Sequence, residues 1–367
     1  MNILIFLIIL VLLVLVHEFG HFIVAKKSGV RVDEFGLGFP PKIFGKKIGE
    51  TFYSLNLLPF GGFVKIFGEN AESLETPEGV LENPSRSLAH KNRAIQAAVL
   101  AAGVSFNVLF AWLILSIGLM FGLPSSVDNT SANKVTNLQV IVSGVLSKSP
   151  AEQAGLRAGD ILISLKNEEG ALSKDLTLDT VRNLIAESKS PLTISYSHGG
   201  KILQATLSSK EGIVSGARAI GISMDMVGIL KLPAYKAFVE GGIRTIQLFK
   251  TVTVNIFLFL SNAVLGRADL TEVAGPVGMV ALVGDARELG FAYLIFFAAL
   301  LSVNLAVINL IPFPALDGGR LIMVAIEAIK RSPLNPKLVQ SVNIVGFALL
   351  IILMVVITGH DIIVKFF

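Results

Sequence analysis

Long apolar runs alternate with polar stretches along this chain, and the runs set its organisation. Ile3 to Val16 are fourteen consecutive hydrophobic residues. Carried on through His17-Glu18-Phe19-Gly20-His21, the segment 1–26 is long enough to cross a bilayer as a helix. Comparable runs lie within 94–121, 291–319 and 338–360. Residues 234–266 are mixed: Glu240, Arg244 and Lys250 interrupt the apolar positions, which predicts an amphipathic helix lying in the membrane interface. The pattern predicts a polytopic α-helical membrane protein with four transmembrane helices.

Two intervals carry β signals instead. Within 27–93, Val30-Arg31-Val32, Glu34 to Phe39 and Thr51 to Lys65 alternate and are punctuated by Gly and Pro, which predicts β-hairpins. They are apolar enough to re-enter the membrane, where non-helical backbone survives only if protein buries it or it lines a cavity. An ordinary cytoplasmic hairpin region fits the same residues equally well. From Glu69 to Arg93 the composition is that of a polar surface loop. Residues 127–228 read as a small β-rich α+β domain. It has a helix near Leu178–Ser188 and strands at Leu192–Tyr196 and Ile202–Leu207, joined by a turn at Ser197–Gly200.

Composition narrows the class. With 53% hydrophobic and only 16% charged residues, the chain is an integral membrane protein carrying some soluble mass. The net charge of +4 is dispersed, which argues against nucleic-acid binding. Basic residues at Lys26 and Lys27, at Lys91 and Arg93, and at Lys330, Arg331 and Lys337 flank the apolar runs and place those loops in the cytoplasm. The N-terminus and the 127–228 domain then lie outside. The first run has no basic n-region and no small-x-small cleavage site, so it reads as a retained span. There is no cysteine, so a zinc site must use histidine and carboxylate.

The candidate chemistry starts at His17-Glu18-Phe19-Gly20-His21, an H-E-x-x-H arrangement. Residues four apart share a helix face, so both imidazoles can hold one zinc ion. Glu18 is rotated by about 100° from His17 and can reach a water there as general base. A packed pair of polar histidines is the alternative, but at membrane depth it costs several kcal/mol unless paired. A catalytic zinc takes three protein ligands and an open position. The third candidate is Asp317, in the run Asn304 to Arg320. There Pro312 and Pro314 break the helix, and Gly318 and Gly319 permit close backbone approach. Asp317 could instead cap the helix that starts near Gly319. With four spans the end of the third run lies on the histidines' side of the membrane. With five it would not, so zinc ligation and an interfacial 234–266 support one another. Gly103 and Asn107 read either as a packing motif with a satisfied amide or as a contact to substrate. His90 and His198 are expected to be solvated, and His360 interfacial.

The HEFGH motif, the N-x-x-P-x-P-x-L-D-G-G run from Asn309 to Gly319, and the Ser149-Pro150-Ala151, Gly155-Leu156 and Gly159-Asp160-Ile161 pattern together resemble the site-2 protease family. The bacterial regulator-of-sigma-E protease type is the most similar group. The resemblance covers nearly the whole chain and makes 127–228 a circularly permuted PDZ domain. It implies an intramembrane zinc metalloprotease of the bacterial inner membrane, with its active site near the cytoplasmic side and its PDZ domain outside. Zn²⁺ would be held by His17, His21 and Asp317, with Glu18 as the acid–base group and no other small-molecule cofactor. Gly61, Gly62 and Phe63 would lie in a membrane-reentrant β-loop that holds an unwound substrate as an added strand. Asn304 and Asn309 would bind freed backbone groups, and Ile220, Gly221 and Ile222 would form the carboxylate-binding turn of the PDZ domain. Gly275-Pro276-Val277 resembles the family's post-PDZ motif. The implied partners, besides the lipid bilayer, are single-span membrane proteins already trimmed outside, such as anti-sigma factors or remnant signal peptides. Better-known members carry tandem PDZ domains and this chain has room for one, so peptide receptor and steric filter both stay open. The rival class is a non-proteolytic zinc-binding membrane scaffold or carrier that captures peptide ends; it would need the three ligands but not Glu18.

Overall fold

The computed structural model describes residues 1–69, 84–126, 135–166, 172–173, 176–198, 200–214, 217–267 and 273–366. Parts of the expected polar loop and the start of the expected 127–228 domain therefore lie outside the described residues. The chain divides into two compact units. One comprises Met1–Leu115, Glu240–Val283 and Phe297–Phe367; the other comprises Ser116–Val239 and Gly284–Phe296.

In the first unit, helix α1 (Asn2–Lys27) carries the long apolar run. It stops where Gly29 takes φ +68°. Val30 N–H then donates to the Ala25 carbonyl at 3.0 Å and Gly29 N–H to that of Lys26 at 3.1 Å, a Schellman closure that satisfies the last carbonyls. Strands β1 (Val32–Ile48) and β2 (Thr51–Ile66) follow, and both fold back on themselves. Residues 34–37 of β1 lie between 52–55 and 62–65 of β2, so that Phe35 pairs with both Tyr53 and Val64. Two long bulged strands thus make a compact sheet, which an aromatic cluster fixes to α1. The Phe22 ring lies 5.2 Å from Phe35 and 6.1 Å from Tyr53.

Helix α2 (Arg93–Phe121) begins with Asn92 Oδ1 accepting from Ile95 N–H at 2.8 Å. It crosses α1 so closely that a Cβ on Gly20 would lie 2.5 Å from the Ala102 carbonyl oxygen. Later come α5 (Ala234–Val264), α6 (Pro276–Leu289), α7 (Phe291–Leu310), α8 (Asp317–Lys330) and α9 (Pro336–Phe366). The start of α6 is held by Asp361 on α9, whose Oδ2 accepts from Gly278 N–H at 2.8 Å. Arg93 reaches Glu327 on α8 at 2.7 Å.

Among the described residues, five helices are long and apolar enough to cross a membrane: α1, α2, α5, α7 and α9. The sequence pattern predicted four, with α5 as an interfacial helix. The difference lies in how α5 masks its polar groups. Arg244 pairs with Glu240 one turn away at 2.9 Å. Thr245 and Thr253 donate their hydroxyls back to the carbonyls of Gly241 and Phe249, each at 2.7 Å. Beyond Lys250 the helix carries no charged residue. The chain is a polytopic membrane protein with a β domain.

That β domain belongs to the second unit. Strands β3 (Leu123–Ser126), β4 (Val135–Val145), β5 (Ile161–Lys166), β6 (Leu172–Ser173), β7 (Leu192–His198), β8 (Lys201–Leu207) and β11 (Ile222–Leu230) form one antiparallel sheet. Its order is β3-β11-β4-β5-β7-β8, with β6 on β5. β9 (Lys210–Val214) and β10 (Ala217–Ala219) form a separate hairpin. Helices α3 (Pro150–Gln153) and α4 (Leu178–Glu187) complete the domain, over a core that includes Val140, Leu165, Val181, Ile194 and Ile220. The Ser-Pro-Ala-Glu run caps α3: Ser149 Oγ accepts from Glu152 N–H at 3.2 Å, while the Glu152 carboxylate accepts from Lys148 N–H, just ahead of the cap, at 2.6 Å. His198, expected to be solvated, instead has its Nδ1 2.6 Å from Oδ1 of the fully buried Asp160. The pairing of β7 with β5 brings the two together from 38 positions apart.

Candidate metal centre and active site

His17 and His21 lie one turn apart near the end of α1, and both are buried. Their Nε2 atoms are 3.2 Å apart. Asp317 reaches them from elsewhere in the chain: its Oδ2 lies 3.1 Å from His17 Nε2 and 3.3 Å from His21 Nε2. The Pro312–Pro314 break allows this by ending α7 and turning the chain sharply into α8. Gly318 and Gly319 pack directly on the carbonyls of Leu310, Ile311 and Phe313, where any Cβ would collide. Asp317 is not the N-cap of α8; Leu316 takes that place, and no side chain caps the helix.

The donor set fits zinc. Bonds of 2.0–2.1 Å in a tetrahedron put neighbouring ligand atoms about 3.3 Å apart, and the three edges here are 3.1, 3.2 and 3.3 Å. Asp317 Oδ2 is buried and accepts no hydrogen bond, although two imidazole nitrogens lie beside it. Buried carboxylate oxygens are rarely left so. All three donor atoms instead lie together in one small cluster. Among the described residues, these three are the group of metal-ligating side chains that comes together.

Helix α2 forms the wall behind the imidazoles. His21 Nδ1 lies 2.8 Å from the Val99 carbonyl oxygen, and the Asn107 amide approaches His17 Nδ1 at 3.3 Å. Gly103 sits between them, one turn from each, where a Cβ would stand 2.6 Å from His17 Cε1. A cavity of about 200 Å³ opens in front, lined by His17, Glu18, His21, Phe63, Glu69 and Asp317 among others. Gly62 on β2 faces Glu18; a Cβ there would lie 3.5 Å from Glu18 Cγ. Glu69 is held by Arg320, three residues beyond Asp317, which donates to its carboxylate.

The other sequence-derived candidates are placed differently. Phe63 lines the cavity and Gly62 borders Glu18, whereas Gly61 packs against the Phe39 ring at 3.1 Å from its own would-be Cβ. Asn304 and Asn309 are on α7 but are not among the cavity's lining residues. Ile220, Gly221 and Ile222 belong to the β domain, where Gly221 has φ +84° and its carbonyl accepts from Leu146 N–H. Sequence reasoning missed Val99, Glu69 and Arg320. The Gly103/Asn107 spacing was the available signal for the α2 wall.

The sequence matches the model of the family described as Peptidase family M50 over residues 5–353. It is 38% identical over 355 residues to a Clostridium perfringens protein provisionally named a zinc metalloprotease, covering 96% of this chain and 95% of that one. It is 28% identical over 434 residues to the regulator of sigma-W protease RasP of Bacillus subtilis, covering 97% of each. A zinc metalloprotease RasP of Geobacillus kaustophilus is also 28% identical, over 99% of this chain and 97% of that one.

Proposed function

Because this chain belongs to peptidase family M50 and is a site-2-type zinc metalloprotease, we propose that it cleaves single-span membrane proteins at the cavity bounded by α1, the β1–β2 sheet and Asp317. The observation that carries this reading is the convergence of His17, His21 and Asp317 beside Glu18. His17, His21 and Asp317 hold Zn²⁺, which when bound polarises a substrate carbonyl and acidifies a water. Glu18 accepts the proton of the attacking water and returns it to the leaving amine. A substrate helix hides its amides in its own hydrogen bonds and must unwind first. Residues 62–65, paired among the described residues with β1 on one side only, give it an edge to join as an added strand next to Glu18.

Topology follows from the same contact. Asp317 meets the histidines only if α1 and α7 end on the same side of the membrane, so the chain between α2 and α7 makes no net crossing. The reading is therefore four full spans, with α5 entering and not delivering the chain to the far side, and an active site near the cytoplasmic face. The basic residues around 26–27 and 330–337 support that orientation. The β domain reads as one extracytoplasmic PDZ domain. Among the described residues, β3 covers the β11 edge along 227–230 only, which leaves 222–226 beside the Ile220-Gly221-Ile222 turn for a peptide end. Anti-sigma factors and remnant signal peptides are the proposed substrates, supported by a relative named for regulating sigma-W.

The test is cleavage of a tagged single-span peptide by purified protein, comparing wild type with Glu18→Gln at equal zinc content. The expected result is a variant that keeps its metal and loses at least about 10²-fold in rate. Zinc bound by both with no cleavage of any trimmed substrate would favour a carrier or scaffold instead.

A further inference from the structure

Asn107 is fully buried, and its Oδ1 has no hydrogen-bond partner. Its Nδ2 lies 3.3 Å from His17 Nδ1. Its backbone is fixed from the other side, because Ser302 Oγ on α7 donates to the Asn107 carbonyl at 2.8 Å. The orphaned oxygen and the histidine beside it have a common solution. His17 Nε2 faces Asp317 Oδ2 and His21 Nε2 at 3.1 and 3.2 Å. To hold a metal there, that nitrogen must present its lone pair, so the ring proton sits on Nδ1. Nδ1–H is then a donor, and an amide NH₂ cannot accept it. Half a turn about the Asn107 Cβ–Cγ bond exchanges the amide's ends and brings Oδ1 to the Nδ1 proton, which satisfies both groups at once.

The second histidine shows the same arrangement. His21 Nδ1 lies 2.8 Å from the Val99 carbonyl oxygen, an obligate acceptor, so its proton is also on Nδ1 and its Nε2 is bare. Val99 and Asn107 are eight residues apart on α2, with Gly103 midway, so one helix face supplies both acceptors.

We propose that Asn107 is a positioning residue whose Oδ1 accepts the Nδ1 proton of His17 and so fixes the tautomer and ring orientation that present Nε2 to zinc. This rests on His17 being a ligand. Asn107 is not among the residues that line the cavity.

The experiment compares zinc affinity, by chelator competition in detergent, for wild type, Asn107→Leu, Asn107→Asp and His17→Ala. Alongside it run the melting of each metal-free protein and the ¹⁵N spectrum of the histidine rings. Removing the partner of a ligating histidine weakens metal binding by about 10–100-fold, and that is the loss expected for Asn107→Leu, with metal-free melting close to wild type. Asn107→Asp can only accept, so it should stay within about threefold of wild type. In the zinc-loaded wild type the His17 proton should appear on Nδ1, with its hydrogen-bonded signature lost in Asn107→Leu. The inference is overturned if Asn107→Leu binds zinc like wild type, if a folded Asn107→Asp is as weak as Asn107→Leu, or if the proton is on Nε2. Should Asn107→Asp fail to fold, Asn107→Leu and the ring spectrum still decide. Unchanged affinity in His17→Ala would instead overturn the metal centre itself.

Discussion

Replacing Gly103 with alanine should empty the metal centre while leaving the fold in place. An added methyl would stand 2.6 Å from His17 Cε1 and 2.7 Å from His17 Nε2, and nearer still to His21 Nε2. Carbon contacts are comfortable at about 3.5 Å or more, so the His17 ring would have to retreat by roughly 0.9 Å. Neither ring has that freedom. His21 is tied to the Val99 carbonyl at 2.8 Å, and both Nε2 atoms are held in a triangle with Asp317 Oδ2. Metal sites tolerate shifts of about 0.2 Å in their bonds, so the required movement is several-fold too large. Zinc affinity should fall by at least about 10²-fold, the upper end of what disturbing a supporting shell produces. Helix α2 itself should not suffer, because alanine is favoured over glycine in a helix interior by roughly 1 kcal/mol. Gly359→Ala is the control: on α9, a Cβ there meets nothing within 4 Å. The assay is chelator competition for zinc, with circular dichroism on the same samples to establish helix content. If Gly103→Ala keeps its helices and still binds zinc with wild-type affinity, the packing of both imidazoles on α2 is refuted.

Two further predictions concern parts away from the candidate metal centre. Asp361 Oδ2 accepts from Gly278 N–H in the first turn of α6; its loss in Asp361→Ala should destabilise the protein by about 1 kcal/mol, with Asp361→Asn retaining most of it. Unfolding in detergent would show this, and equal stability of all three would sink it. Glu50 is held below the usual carboxylate range, first by the hydrogen bond from Lys26 and further by Arg86. A depressed carboxyl contributes stability that is present above its unfolded pKa and lost as pH falls through the folded value. Below about pH 4.5 the β1–β2 turn should therefore open more readily. Hydrogen exchange at residues 48–52, corrected for intrinsic rates, should show acid-induced opening in wild type and none in Glu50→Gln.

The reach of the sequence differed from one part of the molecule to another, for physical reasons. His17, Glu18 and His21 were legible because a helix converts four-residue spacing into a shared face. Asp317 was legible because Pro312, Pro314 and the two glycines announce a break, and a break next to a carboxylate inside a membrane protein has few other uses. The contribution of α2 was not legible. In a membrane helix the lipid-facing and buried sides are both apolar, so periodicity does not say which way Val99 or Asn107 faces, and a backbone carbonyl leaves no mark at all. The ambiguity of α5 is related, since its Glu240–Arg244 pair and the hydroxyls of Thr245 and Thr253 are satisfied along its own length. The double pairing of β1 was hidden because bulges reset the alternation on which register depends.

What remained visible on α2 was Gly103, and its meaning comes from what surrounds it. Small residues in membrane helices allow backbones to approach, and Gly20 serves that end against Ala102. Gly103 admits two side chains instead of a backbone, because the histidines of α1 stand where its Cβ would be. A glycine one turn from an asparagine, in the helix that follows an H-E-x-x-H span, is thus the imprint of the imidazoles on their neighbour. The ligand helix and its wall constrain each other: α1 supplies the nitrogens, and α2, by leaving out one Cβ and offering an acceptor a turn to either side of the gap, determines how they point.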